Sequence, residues 1–366
     1  MSRSGFRHRI RKGALGIGPL VLAVLVLTVS PSQAAKFAGA FMDDGGGARA
    51  LALGGAFTAV ASDPSACYWN PAGLSGIGSR QVLLMHSERF GDLIDRDFVA
   101  YVQPVDWSLL GGTESGFGVS VIRLGLDDIP FTDHLFAQLD HNGDGVVSDE
   151  EILGIDDFPG PSMFDLQDEI IYKSDSELAL FVSYAERKGD WRVGGSLKLI
   201  RQSIGEYNSI GIGFDFALLR PRIWKAMDFG VKFQDITTTY LSWNTEDGTN
   251  ETIYPVITPG LAYHVPVPSW DASVMFASSL ETHFDDRRGA DQYWGGGFSA
   301  NLRLGAELGF KERVFLRGGF DSGFENENLT AGVGFRLDRL MVDYAYAGDV
   351  LDTDDETHRV SITALF

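Results

Sequence analysis

The stretch NLTAGVGFRLDRLMVDYAYAGDVLDTDDETHRVSITALF, Asn328 to Phe366, decides the fold. Leu329, Ala331, Val333, Phe335 and Leu337 alternate with Thr330, Gly332, Gly334 and Arg336. Val342, Tyr344 and Tyr346 then alternate with Met341, Asp343 and Ala345, and Val360, Ile362, Ala364 and Phe366 with Ser361 and Thr363. A period of two is a strand, because successive side chains point to opposite faces. One apolar face set against a small, polar or charged face suits a wall with lipid outside and a polar lumen inside.

The same alternation runs back through the chain to Gln81. It predicts strands at 81–88, 95–104, 115–124, 177–187, 190–203, 210–219, 227–239, 254–264, 270–282, 299–310, 313–321, 328–337, 339–347 and 357–366. These make about fourteen, an even number, as single-chain bacterial barrels require. The connections alternate in length. Lys188-Gly189, Lys311-Glu312 and the surroundings of Asp338 read as tight turns at one end. The stretches 125–176, Trp243–Glu251, Phe284–Ser299 and Gly348–Glu356 read as long loops at the other. If the first strand runs outward, the long loops are extracellular and the tight turns periplasmic. The fold class is therefore all-β, a transmembrane antiparallel barrel spanning 81–366.

Ahead of the barrel stands a targeting signal, residues 1–34. Arg3, Arg7, Arg9, Arg11 and Lys12 are its basic region, Ala14 to Val29 its apolar core, and Ser32-Gln33-Ala34 a small-x-small site that places cleavage near Ala34/Ala35. No later apolar run is long enough for a membrane helix. The net charge is -20, and removing the signal's five basic residues leaves the mature chain near -25. Such a surface repels nucleic acid, so no nucleic-acid partner is expected. The 44 glycines and 12% aromatics suit tight turns and interfacial girdles. Cys67 is the only cysteine and forms no internal disulfide.

Between signal and barrel, residues 35–80 contain GGGARALALGGAFTAVASDPSACYWNPAGLSG, Gly45 to Gly76. Small residues from Ala50 to Ala56 allow close backbone packing in a narrow space. Asn70-Pro71-Ala72-Gly73 is a turn. The stretch reads as a hatch folded into the lumen, with Phe57, Tyr68 and Trp69 as candidate lumen or ligand contacts.

The insertion at 125–176 holds DHNGDGVVSDEE, Asp140 to Glu151. This fits the twelve-residue calcium-loop pattern D-x-[DN]-x-[DN]-G-x5-E without a departure. Calcium takes six to eight oxygens. Asp140, Asn142 and Asp144 offer side-chain oxygens, Val146 its carbonyl, Ser148 a ligand directly or through water, and Glu151 a bidentate carboxylate. Gly145 permits the sharp turn. Phe131, Leu135, Phe136 and Leu139 suggest an entering helix, and Ile152, Leu153 and Ile155 an exiting one, so the loop is EF-hand-like. A structural Ca²⁺ is expected as cofactor.

No H-E-x-x-H, G-x-S-x-G, Walker A or C-x-x-C occurs. His86, His134, His141, His264, His283 and His358 lie scattered without metal-ligand spacing. No enzyme is expected.

The stretch GARALALGGAFTAVASDPSACYWNPAGL (Gly47–Leu74) resembles the N-terminal signature of PorV/PorQ-type outer-membrane proteins, similar in turn to the FadL/TodX-related transporters of hydrophobic compounds. The calcium-loop insertion departs from that pattern. The resemblance implies that Asn70, Pro71 and Ala72 sit in a hatch, and that the terminal Phe366 is read by the barrel-assembly machinery. It implies an outer-membrane location in a Gram-negative-type envelope, with membrane lipid around the wall. Three functions are open at this point: passage of hydrophobic small molecules across the outer membrane, a component of type IX-like protein secretion that holds exported protein, and a structural surface barrel.

Overall fold

The computed structural model describes residues 38–366 except 44, 90–92, 156–159, 246–247, 286, 288–290, 324–327 and 348–356. The expected signal and the acidic loop Gly348–Glu356 lie outside the described residues.

The strands are β1 (Gln81–Arg89), β2 (Ile94–Val105), β3 (Thr113–Phe131), β4 (Ile171–Lys188), β5 (Trp191–Ile204), β6 (Tyr207–Trp224), β7 (Met227–Gln234), β8 (Thr239–Trp243), β9 (Asn250–Ile253), β10 (Val256–Val267), β11 (Ala272–His283), β12 (Tyr293–Gly295), β13 (Phe298–Phe310), β14 (Val314–Asp321), β15 (Asn328–Leu337), β16 (Leu340–Ala347) and β17 (Thr357–Leu365). Each strand of the wall pairs antiparallel with its neighbour. β7 pairs with β10 and β11 with β13, leaving β8, β9 and β12 outside the circuit. The ring closes where β1 meets β17 over eight residue pairs, Gln81 opposite Leu365 through Glu88 opposite His358. The result is a closed antiparallel barrel of fourteen strands, and closure removes every free edge. Phe366 follows β17, its amide donating to the Arg80 carbonyl at 2.9 Å beside the seam.

The tight turns lie where expected. Lys311 and Glu312 both take positive φ (51° and 50°), as two-residue hairpins between twisted strands require. Gly189 and Asp338 turn the same way. Several boundaries differ from the sequence reading, β6 among them, which runs from Tyr207 to Trp224 rather than over 210–219. β3 and β4 run on to Phe131 and from Ile171, so the insertion narrows to 132–170. Outside the apolar belt a strand no longer needs an apolar face, and the alternation that marks it fades. The expected strand 227–239 breaks at Gln234 instead. Asp235 and Thr238 adopt positive φ there (51° and 58°), and β8 steps sideways to pair with the outer end of β6. β8 and β9 form a hairpin the reading did not separate. The wall is uneven in height: β14 to β17 and β1 have 8 to 10 residues, whereas β3, β4 and β6 have 18 or 19.

Residues 38–80 fill the interior. They contain two single-turn helices, α1 (Ala48–Leu51) and α2 (Ala66–Trp69), and a 3-10 stretch, Pro71–Gly76. The segment touches strands from every side, which only an interior position allows. Its backbone approaches wall glycines so closely that a Cβ at Gly116 would meet Leu74, at Gly194 Ala72, at Gly230 Thr58, at Gly305 Leu53, and at Gly319 Leu53 and Gly54. Glycine within a strand marks such an approach. The core is one cluster joining Phe41, Met42, Leu53, Phe57, Tyr68, Trp69 and Leu74 of the segment to the inner face of the wall.

Candidate functional site

The interior is two-sided. From β1 to β5 the inward residues facing the segment include Leu83, Met85, Phe98, Ile122, Phe181 and Ile200, all buried. Arg96 on β2 and Lys198 on β5 interrupt this face, and round the rest of the wall buried ion pairs stand among small and neutral polar inward residues. Lys198 Nζ lies 2.7 Å from Asp235 and 3.3 Å from Asp215. Arg303 bridges Glu281 (2.6 Å) and Asp321 (3.0 Å), and Arg317 bridges Glu307 (2.7 Å) and Asp343 (2.6 Å). Pairing is what makes charge tolerable in a dry lumen. The inner face is therefore richer in hydrocarbon from β1 to β5 and richer in ion pairs on the remaining strands.

Phe57, Tyr68 and Trp69 are brought together, with Tyr68 and Trp69 edge to face at 5.0 Å and Phe57 and Trp69 at 6.3 Å. Tyr68 also meets Phe181 of the apolar wall at 5.9 Å. Their polar ends are used within the segment. Tyr68 donates to the Met42 carbonyl at 2.7 Å and the Trp69 indole to the Gly46 carbonyl at 2.7 Å. All three are at most 5% exposed, so they are the segment's own core rather than the lining of an open pocket. Lys232 covers the Tyr68 ring at 4.3 Å.

The turn Asn70-Pro71-Ala72-Gly73 is fastened by Asn70. Its side-chain oxygen accepts from the Ala72 amide at 3.1 Å, capping the 3-10 stretch with Pro71 at its first position. Its amide nitrogen donates to the carbonyls of Thr58 (2.7 Å) and of Leu218 on β6 (3.3 Å). Gly73 lies so close to the Ala61 carbonyl that a side chain there would strike it. One residue thus closes its own turn and ties it to both the glycine-rich strip and the wall.

Few other side chains hold the segment. Arg49 on α1 forks onto Glu307 (3.0 and 3.2 Å) and reaches Ser62 (3.2 Å) and Asp63 (3.4 Å). Arg96 donates to the Gly45 carbonyl at 2.6 Å, Arg287 to Asp43 at 3.0 Å, and Thr330 to the Ala52 carbonyl at 3.1 Å. Beside Arg49 a polar gap of about 130 Å³ separates the segment from β1 and β15–β17, bounded by Ser62, Asp63, Ser65, Asp343, Ser361 and Thr363. It opens at the tight-turn end of the barrel. Sequence reading did not find Arg49, Glu307 or Arg317 as partners. A charged residue within the small-residue run was the available signal.

The calcium-type loop stands apart, on the long-loop end. Asp140 accepts from the amides of Gly143 (2.8 Å), Asp144 (3.1 Å) and Gly145 (3.0 Å), Asn142 from Asp144 (2.8 Å), and Asp144 from Val146 (2.8 Å). Gly145 takes φ +84°, which favours glycine. Ser148 and Glu151 form a reciprocal capping box at the start of the exit helix α4 (Asp149–Leu153). The entering helix is a 3-10 turn, Asp133–Leu135, continued by α3 (Phe136–Leu139). The Ser148 amide, then those of Asn142 and His141, hold the Glu151 carboxyl below the usual range. Leu135, Leu139 and Leu166 pack beneath the loop. Among the described residues no three carboxylate, imidazole or thiol groups converge on one point. An ion here would draw on Asn142, Ser148 and the Val146 carbonyl as well as on Asp140, Asp144 and Glu151.

A closed fourteen-strand antiparallel barrel with a lipid-suited exterior and an occupied lumen is the fold of an outer-membrane β-barrel. The chain is similar in structure to the toluene transporter TodX of Pseudomonas putida, with a TM-score of 0.51 and 12% identity over 88% of this chain and 96% of that one. It is also similar to a deltaS2 mutant of the TodX monoaromatic hydrocarbon channel (TM-score 0.49, 12% identity, 88% and 97% covered) and to a FadL homologue of Pseudomonas aeruginosa (0.48, 9%, 84% and 95%). At such identities the likeness is one of fold. No protein-family model and no curated protein matches the chain in sequence.

Proposed function

We propose that this protein sits in the outer membrane of a Gram-negative-type envelope and passes hydrophobic small molecules through its lumen, with residues 35–80 as the hatch. The observation that carries the reading is the two-sided interior. The inner face from β1 to β5 carries Leu83, Met85, Phe98, Ile122, Phe181 and Ile200 and meets the hatch through Tyr68–Phe181 and the packing of Gly46 on Phe98, so a shifted hatch uncovers a largely hydrocarbon path, with Arg96 and Lys198 beside it. The gap of about 130 Å³ beside Arg49 is polar and is no hydrocarbon channel in itself. It is too small for continuous passage, so the hatch must move, as lids do in other gated sites. That TodX is a toluene transporter agrees with this reading. A secretion role would need exported protein to engage the long loops. The lumen chemistry favours passage over docking.

Ca²⁺ bound at Asp140, Asn142, Asp144, Val146, Ser148 and Glu151 belongs to the same proposal as an ordering element of the long-loop end. Its residue types suit a hard, oxygen-seeking cation. Phe366, beside the seam, is proposed as the signal for the assembly machinery.

The test is uptake of labelled toluene and of a long-chain fatty acid by cells lacking their own transporter, with and without the protein. Uptake should rise with expression, and Phe181→Asp should abolish the rise while the barrel stays heat-modifiable on a gel. Equal uptake with and without a properly assembled barrel overturns the reading.

A further inference from the structure

The outer face of the wall carries charge where lipid is expected. His86 on β1, Asp97 on β2 and Arg123 on β3 all point outward. They lie side by side in one cross-strand row that continues to Val360 on β17 and Leu178 on β4. His86 Nδ1 is 2.8 Å from Asp97 Oδ1, and its Nε2 is 3.2 Å from Glu88 Oε1. Arg123 Nη1 donates to Asp97 Oδ2 at 3.1 Å. The next outward row toward the tight-turn end is aliphatic: Ile362, Leu84, Val99, Val121 and Leu180. Leu84, Val99, Val121, Leu178, Val360 and Ile362, with the three polar residues, line an outward groove of about 530 Å³.

Charge on the lipid face of a barrel is tolerated near the interface and disfavoured at the midplane, so the polar row marks headgroup depth and the aliphatic row acyl depth. The setting is a shelf. β1 ends three residues beyond His86, about 10 Å along the strand, whereas β3 continues eight residues past Arg123. Asp97 is the only ion-pair partner of Arg123 among the described residues and takes only Nη1. The guanidinium lies over Gly125, where a Cβ would come within 2.8 Å of Nη2. Its remaining N–H edge is left for a ligand. An arginine edge beside an apolar groove complements an anionic head joined to a hydrocarbon chain.

The geometry points to a lipid site on the outside of this wall. It takes a membrane lipid with a phosphate head, the phosphate on Arg123 and one acyl chain in the groove. This rests on the chain spanning a membrane, but not on what crosses the lumen. The ligand is held from outside, by residues with no part in closing the hatch.

The test is native mass spectrometry of purified wild type, Arg123→Gln, Leu84→Trp and Arg220→Gln after incubation with phosphatidylglycerol or with a diacylglycerol of the same chains. Arg220 also points outward but lies at the tight-turn end, against Asp190. Wild type and Arg220→Gln should retain phosphatidylglycerol. Arg123→Gln should retain at least fivefold less, and Leu84→Trp, which fills the groove and keeps the guanidinium, should lose it too. Equal retention by wild type and Arg123→Gln, or equal retention of the diacylglycerol, overturns the proposal. Heat-modifiability identifies any variant that has not folded, and Leu84→Trp keeps the test open if Arg123→Gln fails to fold. Reduced phosphatidylglycerol retention with unchanged toluene uptake separates this site from the passage function.

Discussion

Arg49→Leu should release the hatch without opening the barrel. Arg49 sits on α1, inside the lumen, and its fork onto Glu307 is the one bidentate ion pair between hatch and wall among the described residues. Its side chain is 21% exposed, so water screens it only partly. The substitution removes two short charge-assisted bonds to Glu307. The 3.4 Å contact with Asp63 is long enough to count for little. Neither acid is stranded, since Glu307 keeps Arg317 at 2.7 Å and Asp63 keeps the Ser65 amide at 3.0 Å. The loss should therefore lie at the low end of that for breaking a buried pair. At about 1.5 kcal/mol per bond it comes to about 3 kcal/mol. At 1.4 kcal/mol per decade this shifts the closed-to-open balance of the hatch by roughly a hundredfold. Single-channel recording in planar bilayers reads that ratio directly as open time. Arg49→Lys, which keeps a single point contact, should lie between the two, near tenfold. An open fraction for Arg49→Leu within twofold of wild type, in a barrel that still shifts on a heat-modifiability gel, would show that Arg49 is not a tether.

Further outcomes are expected. Asn70→Ala, which loses the cap on Ala72 and the donors to Thr58 and Leu218, should raise passive leak of small antibiotics at least tenfold, measured by outer-membrane permeability. Gly319→Val should displace the hatch outright, because its side chain would occupy the Leu53–Gly54 backbone, and the hatch should become cleavable by added protease. Glu151→Gln should abolish Ca²⁺ heat in millimolar calorimetry while the barrel stays heat-modifiable. Because Glu151 titrates below its ordinary value when the loop is ordered, its contribution is present above about pH 4.5 and lost as pH falls through the lowered value, so the loop should become protease-sensitive only on acidification below the ordinary carboxylate range. Deleting Phe366 should reduce the amount of assembled barrel, seen by surface labelling, without changing conductance per molecule.

The wall was legible because lipid imposes its pattern on every strand that crosses it. All fourteen expected segments coincide with a barrel strand, from 81–88 to 357–366. What could not be read lies where that pressure is absent. The outer ends of β3, β4 and β6 stand above the apolar belt, and their side chains are free to vary. The break after Gln234 depends on Asp235 and Thr238 in a left-handed conformation, which neither residue type announces. Inside the barrel, alternation showed which residues face inward but not which meet. Arg49 finds Glu307 across 258 positions, and Arg317 finds Asp343 across 26. Phe57, Tyr68 and Trp69 were read as lumen contacts, and the structure packs them together as the core of the interior segment. The use of the Tyr68 and Trp69 polar ends on Met42 and Gly46 depends on how the hatch folds back on itself. Gly116, Gly194, Gly230, Gly305 and Gly319 stood in the sequence as unremarked strand glycines. Their meaning appears only once the backbone they admit is in place.

Those glycines also constrain the order of events during biogenesis. They lie on strands formed from both halves of the chain, and each leaves room for hatch backbone and little else. A finished wall would have to open between strands to let the hatch in. The seam between β1 and β17 joins the first strand of the wall to the last, so the ring cannot close until the strands between them are in place. The interior segment precedes both in the chain. On the reading proposed above it is the form around which the wall is wound, and a barrel assembled without it should close on an emptier, softer cylinder.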